Sequence, residues 1–148
     1  MFLYVDDAKL FRHISCINDI DLLQKDLWDI QLWMNMWLLK LNINKCKVVS
    51  YGHHIDIIND YYLQSGGSMS VLEHLDLIKD IGVTFDSKLK FDHHISEKVN
   101  KAYSVLGLIY RNFKYMSSET IVMLYKTLVR SHLEYANCVW SPYRQMDI

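Results

Sequence analysis

Proline occurs once and glycine five times in 148 residues, so the chain has few positions at which a helix or strand is forced to stop. Long elements with few breaks follow. Cysteine occurs three times, at positions 16, 46 and 138. The number is odd, the residues are far apart and no Cys-x-x-Cys spacing exists. A disulfide framework or a structural zinc site is therefore not expected, and a reducing interior fits best. No apolar run approaches the roughly 20 residues needed to cross a bilayer. The apolar start at residues 1–5 is far too short for a secretion signal. These shortages imply a soluble, intracellular chain, in nucleus or cytoplasm, with no membrane partner. Surplus charge is also missing: 16 basic and 17 acidic side chains leave a net charge of −1, which does not mark a polyanion binder.

What is present reads as globular. Hydrophobic residues make up 51% and charged residues 22%, enough apolar side chain for the core of one domain. The charges are unevenly placed. Residues 1–39 hold three basic and six acidic side chains, whereas residues 87–130 hold eight basic and three acidic. An acidic metal-binding end and a basic phosphate-facing end is one reading; ordinary solvated surface charge is the other. There is no internal repeat and no low-complexity tract.

An apolar run, Met1 to Val5, stops at the adjacent carboxylates Asp6 and Asp7, and an apolar pattern resumes over residues 8–11. Apolar, turn, apolar predicts a β-hairpin. Two acids side by side repel unless a cation lies between them or water screens them. A solvated acidic turn is the alternative. Asn18 or Asp19 is placed to cap a helix carrying Ile20, Leu23, Leu27, Ile30, Met34, Trp37 and Leu41 on one face over about six turns. Residues 45–51 read as a strand broken by Gly52-His53-His54, with residues 61–63 as its partner. Ser65-Gly66-Gly67-Ser68 reads as a turn, and strands are expected over 71–77 and 81–85. A helix follows, with Ile95, Val99, Ala102, Leu106, Ile109 and Phe113 on one face. Ser117 or Ser118 caps another, carrying Ile121, Leu124, Tyr125, Leu128, His132 and Tyr135.

Tyr4-Val5-Asp6-Asp7 between two short hydrophobic strands resembles the catalytic hairpin in the palm of reverse transcriptases. Residues 9–11, the Trp-rich helix and the string Trp37-Leu38-Leu39-Lys40-Leu41-Asn42-Ile43-Asn44-Lys45-Cys46-Lys47 extend the resemblance. So do Lys79-Asp80-Ile81-Gly82-Val83, Asp86-Ser87-Lys88-Leu89, and Leu133-Glu134-Tyr135-Ala136 through Trp140-Ser141-Pro142-Tyr143. Together they resemble the reverse transcriptase of a non-LTR (LINE-type) retrotransposon, nearly end to end. The resemblance implies an α+β fold. Residues 1–86 would be the C-terminal part of the palm, a small antiparallel sheet covered by the long helix, and residues 87–148 a helical thumb-like region.

The resemblance also implies roles. The family joins deoxynucleoside triphosphates to a DNA primer on an RNA template, with two Mg²⁺ ions clamping the attacking and leaving oxygens. Asp6 would be the stronger metal ligand and Asp7 its neighbour in the turn, with Tyr4 and Val5 shaping the floor at the primer end. Lys45 would neutralise or protonate the leaving pyrophosphate, although a solvated lysine is the plain alternative. Residues 79–83 would grip the primer, with Gly82 allowing close backbone approach or else marking a bulge. Lys88, Lys90, Lys98, Lys101, Arg111 and Lys114 would face the nucleic-acid backbone, or simply solvent. The family's further metal-binding aspartate and its fingers lie upstream, and only three residues precede Tyr4. The expectation is a partial polymerase that is inactive alone and completed by an N-terminal half. A non-catalytic nucleic-acid-binding remnant or a structural fragment is the rival.

The remaining motifs carry less. Neighbouring histidines in His53-His54 and His93-His94 point to different sides of an element, so neither pair is expected to chelate one ion. Cys46 between two lysines has either a lowered thiol pKa or a buried strand position. Trp140 reads as a core anchor.

Overall fold

The computed structural model describes residues 1–4, 7–52 and 59–141, and of residues 3 and 4 the backbone only. The chain packs as two compact units, Met1–Asp76 and Leu77–Ile148. Helices and short, mostly antiparallel strand pairs make it an α+β protein.

In the first unit, β1 (Phe2–Tyr4) and β2 (Asp7–Lys9) form an antiparallel pair in which Tyr4 lies opposite Asp7 and Phe2 opposite Lys9. Phe2 and Phe11 stack at 5.2 Å across its open end. Helix α1 (Ile17–Met36) follows. Its N-cap is Cys16 rather than Asn18 or Asp19. Asp19 sits at the third helical position and reaches back, accepting the Ser15 N–H at 2.9 Å and the Cys16 N–H at 3.0 Å. These bonds, with one from the Cys16 thiol, hold the Asp19 carboxyl below its ordinary range.

The apolar stripe of α1 runs past the helix end. At the C-terminus the Leu38 N–H bonds to the Asn35 carbonyl and the Leu39 N–H to the Met34 carbonyl, with Leu38 left-handed at φ 56°. This pair of reversed bonds satisfies the last carbonyls and turns the chain away before Leu41. Of the stripe only Ile20 is buried. It joins Tyr61, Leu63 and Leu72 in a core flanked by Leu23, Leu27, Ile43, Cys46 and Val48.

Residues 45–51 do not form one strand. Ile43–Lys45 is a 3₁₀ turn, and only Lys47–Val48 (β3) is extended. The expected partner is also different. β3 pairs in parallel with β6 (Glu73–His74), braced by a Lys47–Glu73 ion pair, whereas β4 (Tyr62–Ser65) pairs with β5 (Ser68–Val71). Gly66 and Gly67, at φ 56° and 91°, make the two-residue turn that this hairpin requires.

A single palm sheet under α1 is therefore not what forms among the described residues: there are four separate two-stranded pairs. One physical reason lies at β4. In its register the N–H and C=O groups of Tyr62 and Gln64 point away from β5. Gln24 of α1 caps both groups of Tyr62, at 2.9 and 2.8 Å, and Gln31 both groups of Gln64, at 3.0 and 2.7 Å. Two side-chain amides occupy the edge where a further strand would add.

The second unit opens with β7 (Leu77–Asp80) and β8 (Val83–Asp86), antiparallel with Ile81 and Gly82 at the turn. Ile81 is thus a turn residue and not the first residue of a strand. Helix α2 (Asp92–Asn112) buries His94, Ile95, Ala102 and Ile109. Ser117 caps α3 (Ser118–Leu124) by accepting the Thr120 N–H at 3.3 Å. A π-helical turn, Tyr125–Val129, then leads into α4 (Arg130–Glu134), and α5 (Asn137–Trp140) completes the unit. The π turn holds one extra residue, which shifts the inward face: Val129 is buried at 3% exposure, while Leu128 is 46% exposed. One core gathers Val83, Ile95 and Trp140, and another Ala102, Ile109 and Val129.

Candidate functional site

The hairpin that carries the sequence motif is formed by short strands whose alternation favours pairing, with Tyr4 and Asp7 as the flanking pair. Val5 and Asp6 lie outside the described residues, as do His53 and His54. Asp7 begins β2 as an exposed carboxylate. A carboxylate oxygen is the donor that Mg²⁺ prefers. Among the described residues no group of three or more His, Cys, Asp or Glu converges as a metal site. Lys45 ends the 3₁₀ turn with an exposed side chain, and among the described residues no ion pair joins it to Asp7. Cys46, next to it, is half-buried with its thiol 3.5 Å from the Asn42 carbonyl. Burial pushes that thiol above its ordinary value, against the pull of Lys47, so the protonated, unreactive form is favoured.

Gly82, Lys88 and Lys90 belong to the second unit. Gly82 has φ 77°, and a Cβ placed there would come within 3.1 Å of Tyr135 Cε1. The Tyr135 hydroxyl donates to the Ile81 carbonyl at 2.9 Å. The turn of the β7–β8 hairpin is therefore clasped between its own glycine and a ring from the helical part of the same unit. Tyr135 stood out in the sequence as a member of an apolar stripe and of the Leu133-Glu134-Tyr135-Ala136 string; its hydroxyl contact, 54 residues away, leaves no periodic trace.

The segment after β8 is organised by Asp86. Its carboxylate accepts the N–H groups of Lys88 at 3.0 Å, Lys90 at 3.1 Å and Phe91 at 2.7 Å. Burial raises this carboxyl, but the bonds from Lys90, Phe91 and Lys88 outweigh it, and its pKa lies below the ordinary 3.8. Leu89 and Phe91 accept left-handed backbone, φ 52° and 60°, to deliver those amides. The result fixes the backbone that carries the two lysines: Lys88 exposed, Lys90 half-buried.

His93 and His94 diverge as neighbouring residues should. His93 is exposed, and His94 is wholly enclosed. The Thr84 N–H donates to His94 Nδ1 at 3.1 Å, which sets the neutral tautomer with the proton on Nε2, and the ring meets Trp140 edge-on at 5.1 Å. Burial pushes the His94 pKa down from 6.5; Lys98, Lys79 and His93 push the same way, against Glu97. Trp140 is buried at 5% exposure and donates its Nε1–H to the Tyr135 carbonyl at 2.8 Å, an anchor as expected. No helix among the described residues is long and apolar enough to cross a membrane.

No protein-family model matches the chain, and no solved structure matches it. Over 141 residues it is 28% identical to the RNA-directed DNA polymerase from mobile element jockey of Drosophila funebris. The match covers 90% of this chain and 14% of that protein, so the chain spans about a seventh of the length of the curated relative it matches. Along most of its length, then, the sequence is similar to one stretch of an RNA-directed DNA polymerase.

Proposed function

We propose that this chain is the C-terminal part of the palm together with the thumb of a non-LTR retroelement reverse transcriptase. In the parent enzyme it would contribute to two-metal nucleotidyl transfer. The observation that carries the reading is similarity to an RNA-directed DNA polymerase over 90% of the chain, and it is supported by the antiparallel pairing of Tyr4 with Asp7 between β1 and β2. Asp6 and Asp7 would hold Mg²⁺, which supplies charge neutralisation of the attacking and leaving oxygens. Tyr4 and Val5 would border the primer end, and Lys45 would meet the departing pyrophosphate. Residues 1–86 would serve as palm and residues 87–148 as thumb. The Gly82 turn would be held against the primer by Tyr135, and Lys88 and Lys90 would approach the backbone from the loop that Asp86 fixes. RNA template, DNA primer and deoxynucleoside triphosphates are the partners, with the N-terminal half of the polymerase completing the site.

The test has two parts. The transcript is read 5′ of the Met1 codon, and the chain, with any in-frame upstream segment, is assayed for primer extension on an RNA template with Mg²⁺. Incorporation that disappears in Asp6→Ala supports the reading. Extension that survives loss of both Asp6 and Asp7 refutes the metal assignment. Absence of extension with salt-dependent binding of an RNA–DNA duplex favours the remnant that binds nucleic acid without catalysis.

A further inference from the structure

The β4–β5 hairpin has one closed edge and one open edge. Gln24 bonds both the N–H and the C=O of Tyr62, and Gln31 both groups of Gln64, so these groups point away from β5. Tyr62 lies opposite Val71, and Gln64 opposite Met69. Where one member of an antiparallel pair turns its backbone groups outward, so does the other. The N–H and C=O of Met69 and Val71 therefore point to the far edge. They have no partner among the described residues.

That edge carries none of the usual guards. Edge strands in water are commonly blunted by lysine, by proline or by a bulge. Residues 61–72 contain no charged side chain and no proline. The register runs without a bulge from Tyr62 opposite Val71 to Ser65 opposite Ser68. Leu63 and Ser70 share the inner face, where Leu63 is buried. On the outer face Met69 and Val71 are each 56% exposed.

We infer that β5 pairs antiparallel with β5 of a second copy of this chain, about a two-fold axis through the sheet at Ser70, to make a sheet of four strands. This register sets Met69 opposite Val71 of the second copy, and Val71 opposite its Met69. All four outward N–H groups then meet outward carbonyls. Both side-chain pairs are apolar and lie on one face. The charge argues for a like partner. A two-fold axis brings a strand against its own charges, and a charged β5 would repel its copy. Neutral Ser70 on the axis, within a neutral stretch, does not. The closed edge sets the number. Gln24 and Gln31 already occupy β4 of each copy, so pairing stops at two chains and does not run on as a fibre. Strands of four residues bury far less than the roughly 800 Å² per partner of a standard interface, so the dimer is weak and reversible. The inference stands on this hairpin and does not rest on the polymerase reading.

The full chain is sedimented from about 5 to about 500 µM, where a weak dimer comes and goes. The mass should rise from one chain toward two and go no higher. Met69→Lys with Val71→Lys sets lysine against lysine and should weaken association about tenfold or more, with the fold kept by circular dichroism. Met69→Lys with Val71→Glu sets each lysine against a glutamate of the second copy and should restore association, now weakened by salt. Val71→Pro removes an N–H that the hairpin does not use and should weaken association too. With Cys16 and Cys138 replaced by serine, Ser70→Cys should oxidise to a disulfide-linked dimer, because that pair faces itself at about 4.5 Å between Cα atoms. Met69→Cys should not, because it faces Val71. Gln24→Ala with Gln31→Ala should form particles larger than two chains. A chain that stays single throughout overturns the inference and leaves the edge to a strand of another protein. So does association undiminished in the lysine pair, or a cross-link at Met69→Cys and none at Ser70→Cys.

Discussion

Tyr62 and Gln24, 38 residues apart, are joined by two hydrogen bonds: the Tyr62 N–H donates to Gln24 Oε1, and Gln24 Nε2 donates to the Tyr62 carbonyl. Gln31 repeats the arrangement on Gln64. A side-chain amide presents one acceptor and one donor, as a neighbouring strand would, so the β4 edge is satisfied without a strand. Replacing both glutamines with alanine should cost about 2–4 kcal/mol, from four bonds at roughly 0.5–1 kcal/mol each. It should also produce concentration-dependent association through the opened edge. Urea unfolding and sedimentation at rising concentration read the two effects separately.

The Tyr135 clasp on the β7–β8 turn predicts unequal costs. Tyr135→Phe loses one hydrogen bond, about 1 kcal/mol. Gly82→Ala should cost about 2 kcal/mol, because it combines φ 77° with a 3.1 Å approach to the ring. Pairing Gly82→Ala with Tyr135→Ala removes the close approach but not the backbone strain. The double variant should therefore be more stable than the sum of the single costs predicts, measured as a double-mutant cycle.

His94 predicts acid sensitivity in the second unit. Its folded pKa lies below the unfolded value of 6.5. Below 6.5 the unfolded chain therefore binds more protons than the folded one. The stability that the neutral ring contributes is full above that pH and is lost progressively as pH falls toward the folded pKa. Protonation would also aim an Nδ1–H at the Thr84 N–H. Urea midpoints at pH 7.5, 6.5 and 5.5 should fall in that order. His94→Phe should be less stable at pH 7.5 and nearly flat across the series.

Leu38 predicts a gain. It ends α1 in left-handed backbone with 89% of its surface exposed. Leu38→Gly should stabilise the first unit by about 1 kcal/mol, since glycine adopts this conformation without steric cost and little packing is lost. Hydrogen exchange in the last turn of α1 should slow.

Much of this architecture is legible in the sequence, because helical period, caps and glycine turns are local. The α2 stripe from Ile95 to Ile109, the Ser117 cap and the Gly66-Gly67 reversal fall where the pattern places them, whereas Phe113, expected on the same stripe, lies just past the helix end and is exposed. Three features are not legible, each for a physical reason. The Gln24 and Gln31 bonds join residues more than 30 apart and carry no periodicity. The extra residue at Tyr125–Val129 changes the inward face by one position, which an apolar-rich stripe does not reveal. The Asp86 hub depends on left-handed Leu89 and Phe91, residues whose types argue against that backbone. For the candidate site, the sequence supplies the Tyr4-Val5-Asp6-Asp7 motif and the structure supplies the pairing of Tyr4 with Asp7. The clasp on Gly82 is visible only in three dimensions.

The π turn has one more consequence. Each residue of a helix advances the chain about 100° around its axis. Everything after Val129, including the ring that reaches Ile81, is therefore aimed by a single surplus residue. Deleting one position within Tyr125–Val129 would heal the helix and at the same time swing Tyr135 off the hairpin by more than a quarter turn. The π turn is thus the angular setting of the helices that follow it, and a shorter, more regular helix would be a misaimed one.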